Sequence, residues 1–189
     1  RTHFALPIVG IQPAVKPAAQ ATRSGIVGIL ATAGTLQSRK YAELLQRFGH
    51  FARVLSQPAS GLVEQVEAGD LDGPRTLALL RTCLQPLLDA GADTVVLGCT
   101  HYPFLLDSIR AVVGPDVQVI DPGAAVARRV AQVLGTAVDG GGVLRCFTSG
   151  DAPAQQALMS RLLGETVTVE PLPGIFCVAH AACGSTDTK

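Results

Sequence analysis

A chain of 189 residues, 48% hydrophobic and 16% charged, with 20 Gly and 12 Pro, has the profile of a compact folded protein of one or two modest domains. Lys plus Arg and Asp plus Glu each number 15, and neither sign runs in a block, which argues against a nucleic-acid surface or a charged tail. No apolar run reaches the length of a membrane span, and Arg1 to Gly10 lacks the regions of a signal peptide, so a cytoplasmic protein without a membrane partner is expected. Its expected partner is a small molecule or another protein subunit. Because the first residue is Arg1 and not Met, a leader or a leading domain half could precede it.

Short β-rich apolar runs alternate with longer helical patterns to about residue 170, which predicts a parallel sheet with crossover helices. The predicted strands are Ile8 to Ile11, Ile26 to Ala31, Ala52 to Ser56, Thr94 to Gly98, Val117 to Ile120, Leu144 to Thr148 and Val167 to Glu170. Several are apolar on both faces, as strands covered by helices on each side must be. Apolar residues at helical spacing predict helices over Leu36 to Phe48, Pro74 to Ala90, Pro103 to Val113, Gly123 to Leu134 and Pro153 to Leu163. Glycines follow helical stretches at Gly25, Gly49, Gly91, Gly114, Gly135 and Gly164, where helices commonly end. Thr136 to Gly142, with its triple glycine, is the best internal linker candidate, and the tail from Gly174 to Lys189 has no periodicity and ends as a disordered polar segment.

The five cysteines, Cys83, Cys99, Cys146, Cys177 and Cys183, are odd in number and contain no CxxC pair, against both a disulfide framework and a zinc knuckle. Cys99 stands apart by its setting, Leu97-Gly98-Cys99-Thr100-His101-Tyr102-Pro103. A buried strand ends at Gly98 and a helix is expected near Pro103, so Cys99 belongs at the carboxyl end of a parallel strand, where open α/β sheets bind ligands. Amide N–H groups at a helix start stabilise a thiolate, and Thr100 and His101 bring a hydroxyl and an imidazole to the same place. The plain alternative makes Cys99 a small packing residue and His101 a surface imidazole. A zinc site on Cys-x-His is weaker still, lacking two further ligands at finger spacing.

The whole string nevertheless resembles the signature around the second catalytic cysteine of glutamate racemases, within the aspartate/glutamate racemase superfamily. Further segments resemble the family in its order from about residue 7 to about residue 173. Pro7 to Ala14 is similar to the strand and turn that open the family's second domain, and Ala31-Thr32-Ala33-Gly34-Thr35 with Ser38 and Tyr41 to its next strand-to-helix loop. Leu62 to Gly69 resembles the segment with the active-site glutamate, Val119 to Pro122 the strand that closes the domain, and Phe147 to Asp151 a motif of the returning carboxyl-terminal part.

The resemblance implies an α/β, parallel-sheet racemase-type fold with one complete domain and part of a second. Residues 1–7 would be the remnant of a preceding helix or linker, 8–121 the second domain, 122–173 the C-terminal part of the first and 174–189 a tail. It implies interconversion of L- and D-glutamate for peptidoglycan synthesis, with no cofactor and no metal, and leaves room for a homodimer. Cys99 would be one of two proton-transferring thiols, Thr100 and His101 its substrate-binding and assisting neighbours, and Glu67 the group that orients His101. Thr32, Thr35 and Ser38 would line the carboxylate pocket, although cap and loop roles explain them equally well. Glu67 could equally be a solvated helix carboxylate, with Glu64 on a similar face.

Inverting an α-carbon without a cofactor requires a base on one face and an acid on the other, hence two thiols. The family's Asp-Ser-Gly and Cys-Asn-Thr motifs should precede Pro7, where only six residues stand, and Gln12 occupies a position that is glutamate in many members. The chain alone is therefore expected to be inactive. The competing expectations are a non-catalytic ligand-binding or interaction remnant, and a racemase of the superfamily acting on aspartate or a hydantoin.

Overall fold

The computed structural model describes residues 7–135 and 143–172, so the candidate linker, Cys177, Cys183 and the tail lie outside the described residues. The chain divides into two compact units, Arg1–Asp139 and Gly140–Lys189.

The first unit is built on a four-stranded parallel sheet of β1 (Ile26–Ala31), β2 (Arg53–Pro58), β3 (Thr94–Leu97) and β4 (Gln118–Ile120), in the order β2-β1-β3-β4. In register, Val27 faces Val54 on one side and Thr94 on the other, and Leu30 faces Gln57 and Leu97. Every residue of β3 is buried, as is all of β1 beyond Ile26, which accounts for their unbroken apolar sequence. One face of β1, carrying Val27, Ile29 and Ala31, packs with Val15 and Ala18 of α1 (Val15–Ala21) and Tyr41 of α3 (Arg39–Phe48). On the other face, a Cβ on Gly28 would stand 2.6 Å from Leu87 Cδ1. Only a glycine lets α5 (Pro74–Asp89) lie this close to the sheet.

Three further helices complete the first unit before its last. They are α2 (Ala33–Leu36), α4 (Leu62–Glu67) and α6 (Leu106–Val113), the last preceded by a 3-10 turn over Tyr102–Leu105. Helix α7 (Gly123–Leu134) then buries none of its residues, and Leu134 is 69% exposed. Among the described residues, no helix is long and apolar enough to cross a membrane.

The second unit pairs β5 (Cys146–Thr148) in parallel with β6 (Val169–Pro171) and joins them through α8 (Ala152–Leu163). Its described core is small: Cys146, Val167 and Val169, against which Ala152 and Met159 pack. Arg145 forms a bidentate pair with Glu170 at 3.0 Å and lies over the Phe147 ring.

Several expected elements differ. Ile8 to Ile11 is not a strand: it pairs with no strand among the described residues, and Ile8 and Ile11 are 45% and 46% exposed. The helix expected from Leu36 is two, broken at Gln37-Ser38, where the Ser38 side chain accepts from Tyr41 N and caps α3. The helix expected from Pro103 opens as the 3-10 turn, and α-helical geometry begins only at Leu106. Helices α1 and α4, absent from the periodicity reading, are seven and six residues long, too short to show two turns of repeat.

Candidate active site

β3 sets the site. Its last backbone step continues the ladder through Gly98 N–H, which donates to Leu30 O at 2.8 Å, and the chain then leaves the sheet. A Cβ at Gly98 would lie 2.8 Å from Ala31 Cβ and 3.1 Å from Leu30 O, so the turn into Cys99 hugs the end of β1 only because position 98 has no side chain. Cys99 thus emerges at the carboxyl end of a central strand, half-buried, with Thr100 exposed beside it. A cavity of about 200 Å³ opens there, lined by Cys99, Thr100 and Gly98, by Thr35, and by Gln12 and Pro13. A second cavity, of about 470 Å³, shares Gln12, Pro13 and Thr35 with the first and adds Thr32, Ser38 and Lys40.

Behind the thiol runs a polar chain. His101 Nδ1 lies 3.8 Å from Cys99 Sγ, and His101 Nε2 lies 2.8 Å from Glu67 Oε1, at the last residue of α4. A carboxylate can only accept, so Nε2 carries the proton of that bond and Nδ1 is left free to exchange a proton with the thiol. A carboxylate 2.8 Å from Nε2 is the arrangement in which carboxylates orient histidines in metal and hydrolase sites. With side chains 32% and 47% exposed, the His101–Glu67 pair is screened by water and adds little stability. It is Glu67 and not Glu64 that meets the imidazole.

The hydroxyl residues are divided between pocket lining and capping. Thr32 accepts from Thr35 N at 3.3 Å as the cap of α2, and its hydroxyl lies 3.0 Å from that of Thr35. Ser38 donates to Thr35 O at 2.8 Å while capping α3. Thr35 is the member of the three that reaches the cavity holding Cys99; Thr32 and Ser38 face the adjoining one and brace the loop. The helix start nearest Cys99 is the 3-10 turn at Tyr102–Leu105, and the α-helix α6 opens beyond it at Leu106. The polar side chain in contact with the thiol is His101.

The other described cysteines stand in different surroundings. Cys83 is buried in α5, and burial pushes its thiol above the ordinary range. Cys146 is buried in β5 of the second unit. Among the described residues, no three His, Cys, Asp or Glu side chains converge as a metal site requires.

Sequence reading alone did not identify Gln12 and Pro13 as lining residues, because Ile8 to Ile11 looked like a strand leading into a turn. The available sequence signal was the Pro7 to Ala14 segment itself; the structure brings it to the site, with Pro13 Cγ 3.4 Å from where a Cβ at position 98 would stand.

Residues 1–130 match the Asp/Glu/Hydantoin racemase family. The chain is 52% identical over 168 residues to the glutamate racemase of Ectopseudomonas mendocina, covering 87% of this chain and 64% of that protein. It is 53% identical over 157 residues to the glutamate racemase of Pseudomonas putida, covering 81% of this chain and 59% of that one. It thus spans about three fifths of these relatives' length. Among solved structures, Escherichia coli glutamate racemase in complex with L-glutamate and the activator UDP-MurNAc-ala superposes with a TM-score of 0.77 at 35% identity, over 90% of this chain and 66% of that one. The Thermus thermophilus glutamate racemase in complex with beta-chloro-D-alanine gives a TM-score of 0.68 at 32% identity, over 90% and 64%. With more than half of its length matched to the family and a parallel α/β sheet shared with solved members, the chain belongs to the Asp/Glu/Hydantoin racemases.

Proposed function

We propose that the chain carries one half of a glutamate racemase site and that Cys99 is the thiol acting on one face of the substrate α-carbon. The observation that supports this most is the run Cys99–His101–Glu67 at the carboxyl end of β3, opening into a cavity shared with Thr35 and Thr100. As thiolate, Cys99 takes the α-proton and leaves a carbanion; as thiol, it returns a proton to the same face. His101 Nδ1 exchanges that proton with sulfur, and Glu67 holds the ring in place. Thr100 and Thr35 offer hydroxyl groups to the amino acid's carboxylate, and Thr32 and Ser38 keep the Thr35 loop in shape. Glutamate is the substrate favoured by the relatives' names and by the L-glutamate held in the E. coli structure.

The family resemblance divides the chain into residues 8–121 as the second racemase domain and 122–173 as the returning part of the first, and we adopt that division. Inversion also needs a thiol on the opposite face. The resemblance places it in a Cys-Asn-Thr segment, which the 189 residues do not contain. Supply of D-glutamate to peptidoglycan, in the cytoplasm where thiols stay reduced, is the role that fits this chemistry.

The experiment is to incubate the purified 189-residue chain with L-glutamate in deuterated water, following circular dichroism and the α-proton signal together. The expected result is no change of configuration, with slow α-proton exchange of one enantiomer that Cys99→Ala abolishes. Robust D-glutamate formation lost in Cys99→Ala would show a second acid within these residues and defeat the half-site reading. Exchange that survives Cys99→Ala would defeat the assignment of Cys99.

A further inference from the structure

Tyr102 follows His101 directly, yet its side chain turns away from the cavity and is fully buried. Its hydroxyl donates to Ala59 O at 3.1 Å, a buried bond that spans 43 residues of sequence. Ala59 is itself fixed, since its N–H donates to Ala31 O at 3.0 Å and extends the β1–β2 ladder by one step. Two residues on, Gly61 takes a left-handed conformation with φ of +87° and caps α4, the helix whose last residue is Glu67. The helix packs its buried Leu62 and Val66 inward and lies against the 3-10 turn that contains Tyr102.

The segment carrying His101 and the segment carrying Glu67 are therefore joined twice. One link is the exposed His101–Glu67 bond at 2.8 Å; the other is the buried Tyr102–Ala59 bond behind it. An exposed pair of side chains holds a geometry poorly by itself, because water competes for both partners. A buried bond to a backbone carbonyl is different: breaking it strands a carbonyl oxygen with no water to replace the donor. The phenol is also held in its donor form, since burial pushes its ionisation far above the usual range and the neighbouring acidic groups Cys99, Cys83 of α5 and Glu64 of α4 add to the effect.

Resting on the reading of Cys99, His101 and Glu67 given above, we propose that Tyr102 is a positioning residue that sets the His101–Glu67 spacing, and through it the reactivity of Cys99, by tying the His101 turn to the Ala59 stem of α4. Neither its ring nor its hydroxyl touches substrate in this assignment.

The test reads Cys99 alkylation by iodoacetamide as a function of pH in the full chain, by mass mapping, for wild type, Glu67→Gln, Tyr102→Phe and the double variant. Both single changes are expected to slow labelling at pH 7 by about threefold or more and to move the profile toward higher pH, and the double variant to add little, as for two groups acting through one histidine. An unchanged profile in Glu67→Gln would remove the histidine relay itself. A shifted profile in Glu67→Gln with an unchanged one in Tyr102→Phe would overturn the positioning role while leaving the relay intact. Full additivity in the double variant would likewise overturn it. If Tyr102→Phe does not fold, the chain's other tyrosine, Tyr41, is changed to phenylalanine and the protein is labelled with 3-fluorotyrosine. The Tyr102 fluorine resonance is then expected to follow the pH dependence of Cys99 labelling, and a resonance indifferent to it across that range would count against the proposal.

Discussion

The two ends of β3 are built for opposite purposes. At the amino end, Asp93 just before the strand accepts from Thr22 Oγ1 at 2.5 Å, Arg23 N at 2.7 Å, Ser24 N at 2.8 Å and Thr94 Oγ1 at 3.0 Å. That carboxylate ties the turn between α1 and β1 to the start of β3, with every donor at short distance. At the carboxyl end, Cys99 has a 3.8 Å contact to an imidazole and a cavity in front of it. The strand between them is wholly buried. The contrast teaches that one end of a buried strand can open onto a cavity when the other is saturated with hydrogen bonds, because a saturated anchor fixes the register on which the open end depends.

The largest expected effect breaks the tight end. Burial alone would raise the Asp93 carboxyl, but the hydrogen bonds from Thr22, Ser24, Arg23 and Thr94 outweigh it and hold the group far below the usual carboxylate range. A depressed folded value means that its stabilisation is fully present above the unfolded value of about 3.9 and is lost as pH falls below it toward the folded value. Asp93→Asn, which sets an NH₂ group against N–H donors, should cost about 3 kcal/mol at pH 7 by urea unfolding, the scale of hydrogen bonds to a charged group. The gap between variant and wild type should close progressively below about pH 4. A gap that stayed constant down to pH 2 would show that Asp93 contributes shape and not charge.

A smaller effect is expected where β3 hands over to the site. Gly98→Ala places a methyl group against Ala31 Cβ and the Leu30 carbonyl, one of them backbone, so the turn must shift outward. The expected cost is about 2 kcal/mol in unfolding free energy, typical of overpacking, together with slower Cys99 labelling. A stable variant with unchanged labelling would mean that the turn yields without moving the thiol. The open end itself is read by competition. Under limiting alkylating reagent at pH 7, Cys99 should be labelled at least about tenfold faster than Cys83 or Cys146, since a partly exposed thiol beside an imidazole outreacts buried ones. Preferential labelling of Cys83 would reverse the comparison.

Much of this contrast was legible in the amino-acid sequence, for reasons that differ along the chain. The central strands β1 and β3 declare themselves because strands covered on both faces must be apolar throughout, and Cys99 stands out because Gly98 and Pro103 bracket it with a strand end and a helix start. Glu67 and His101 are 34 residues apart, so no spacing rule pairs them; the family resemblance did so, and their 2.8 Å contact is a property of how α4 is hung from β2. The strand expected over Ile8 to Ile11 does not form because β-propensity measures fit to a pleated, half-buried surface, and among the described residues no neighbouring strand supplies one there. Asp93 was not singled out at all. Its partners Thr22, Arg23 and Ser24 lie some seventy residues away, and a lone aspartate before a strand resembles any turn residue until the fold closes.

The smallest expected effect sharpens the account of the tight end. Arg23 brings a guanidinium to 3.9 Å from Asp93 and donates to Asp116 O at 3.2 Å, an arrangement that reads as an ion pair reinforcing the anchor. Its side chain is 80% exposed, however, and 3.9 Å is at the limit of contact, so solvent and salt screen most of the attraction. The bond from Arg23 to Asp93 that counts comes from its backbone N–H, which any residue at position 23 except proline supplies. Arg23→Ala should therefore cost less than about 0.5 kcal/mol and leave the pH dependence assigned to Asp93 intact. Stability should also differ little between low and high salt, because the four short donors at Asp93 are backbone amides and hydroxyls that carry no net charge. A loss approaching that of Asp93→Asn, together with strong salt sensitivity, would move the anchor from hydrogen bonding to ion pairing.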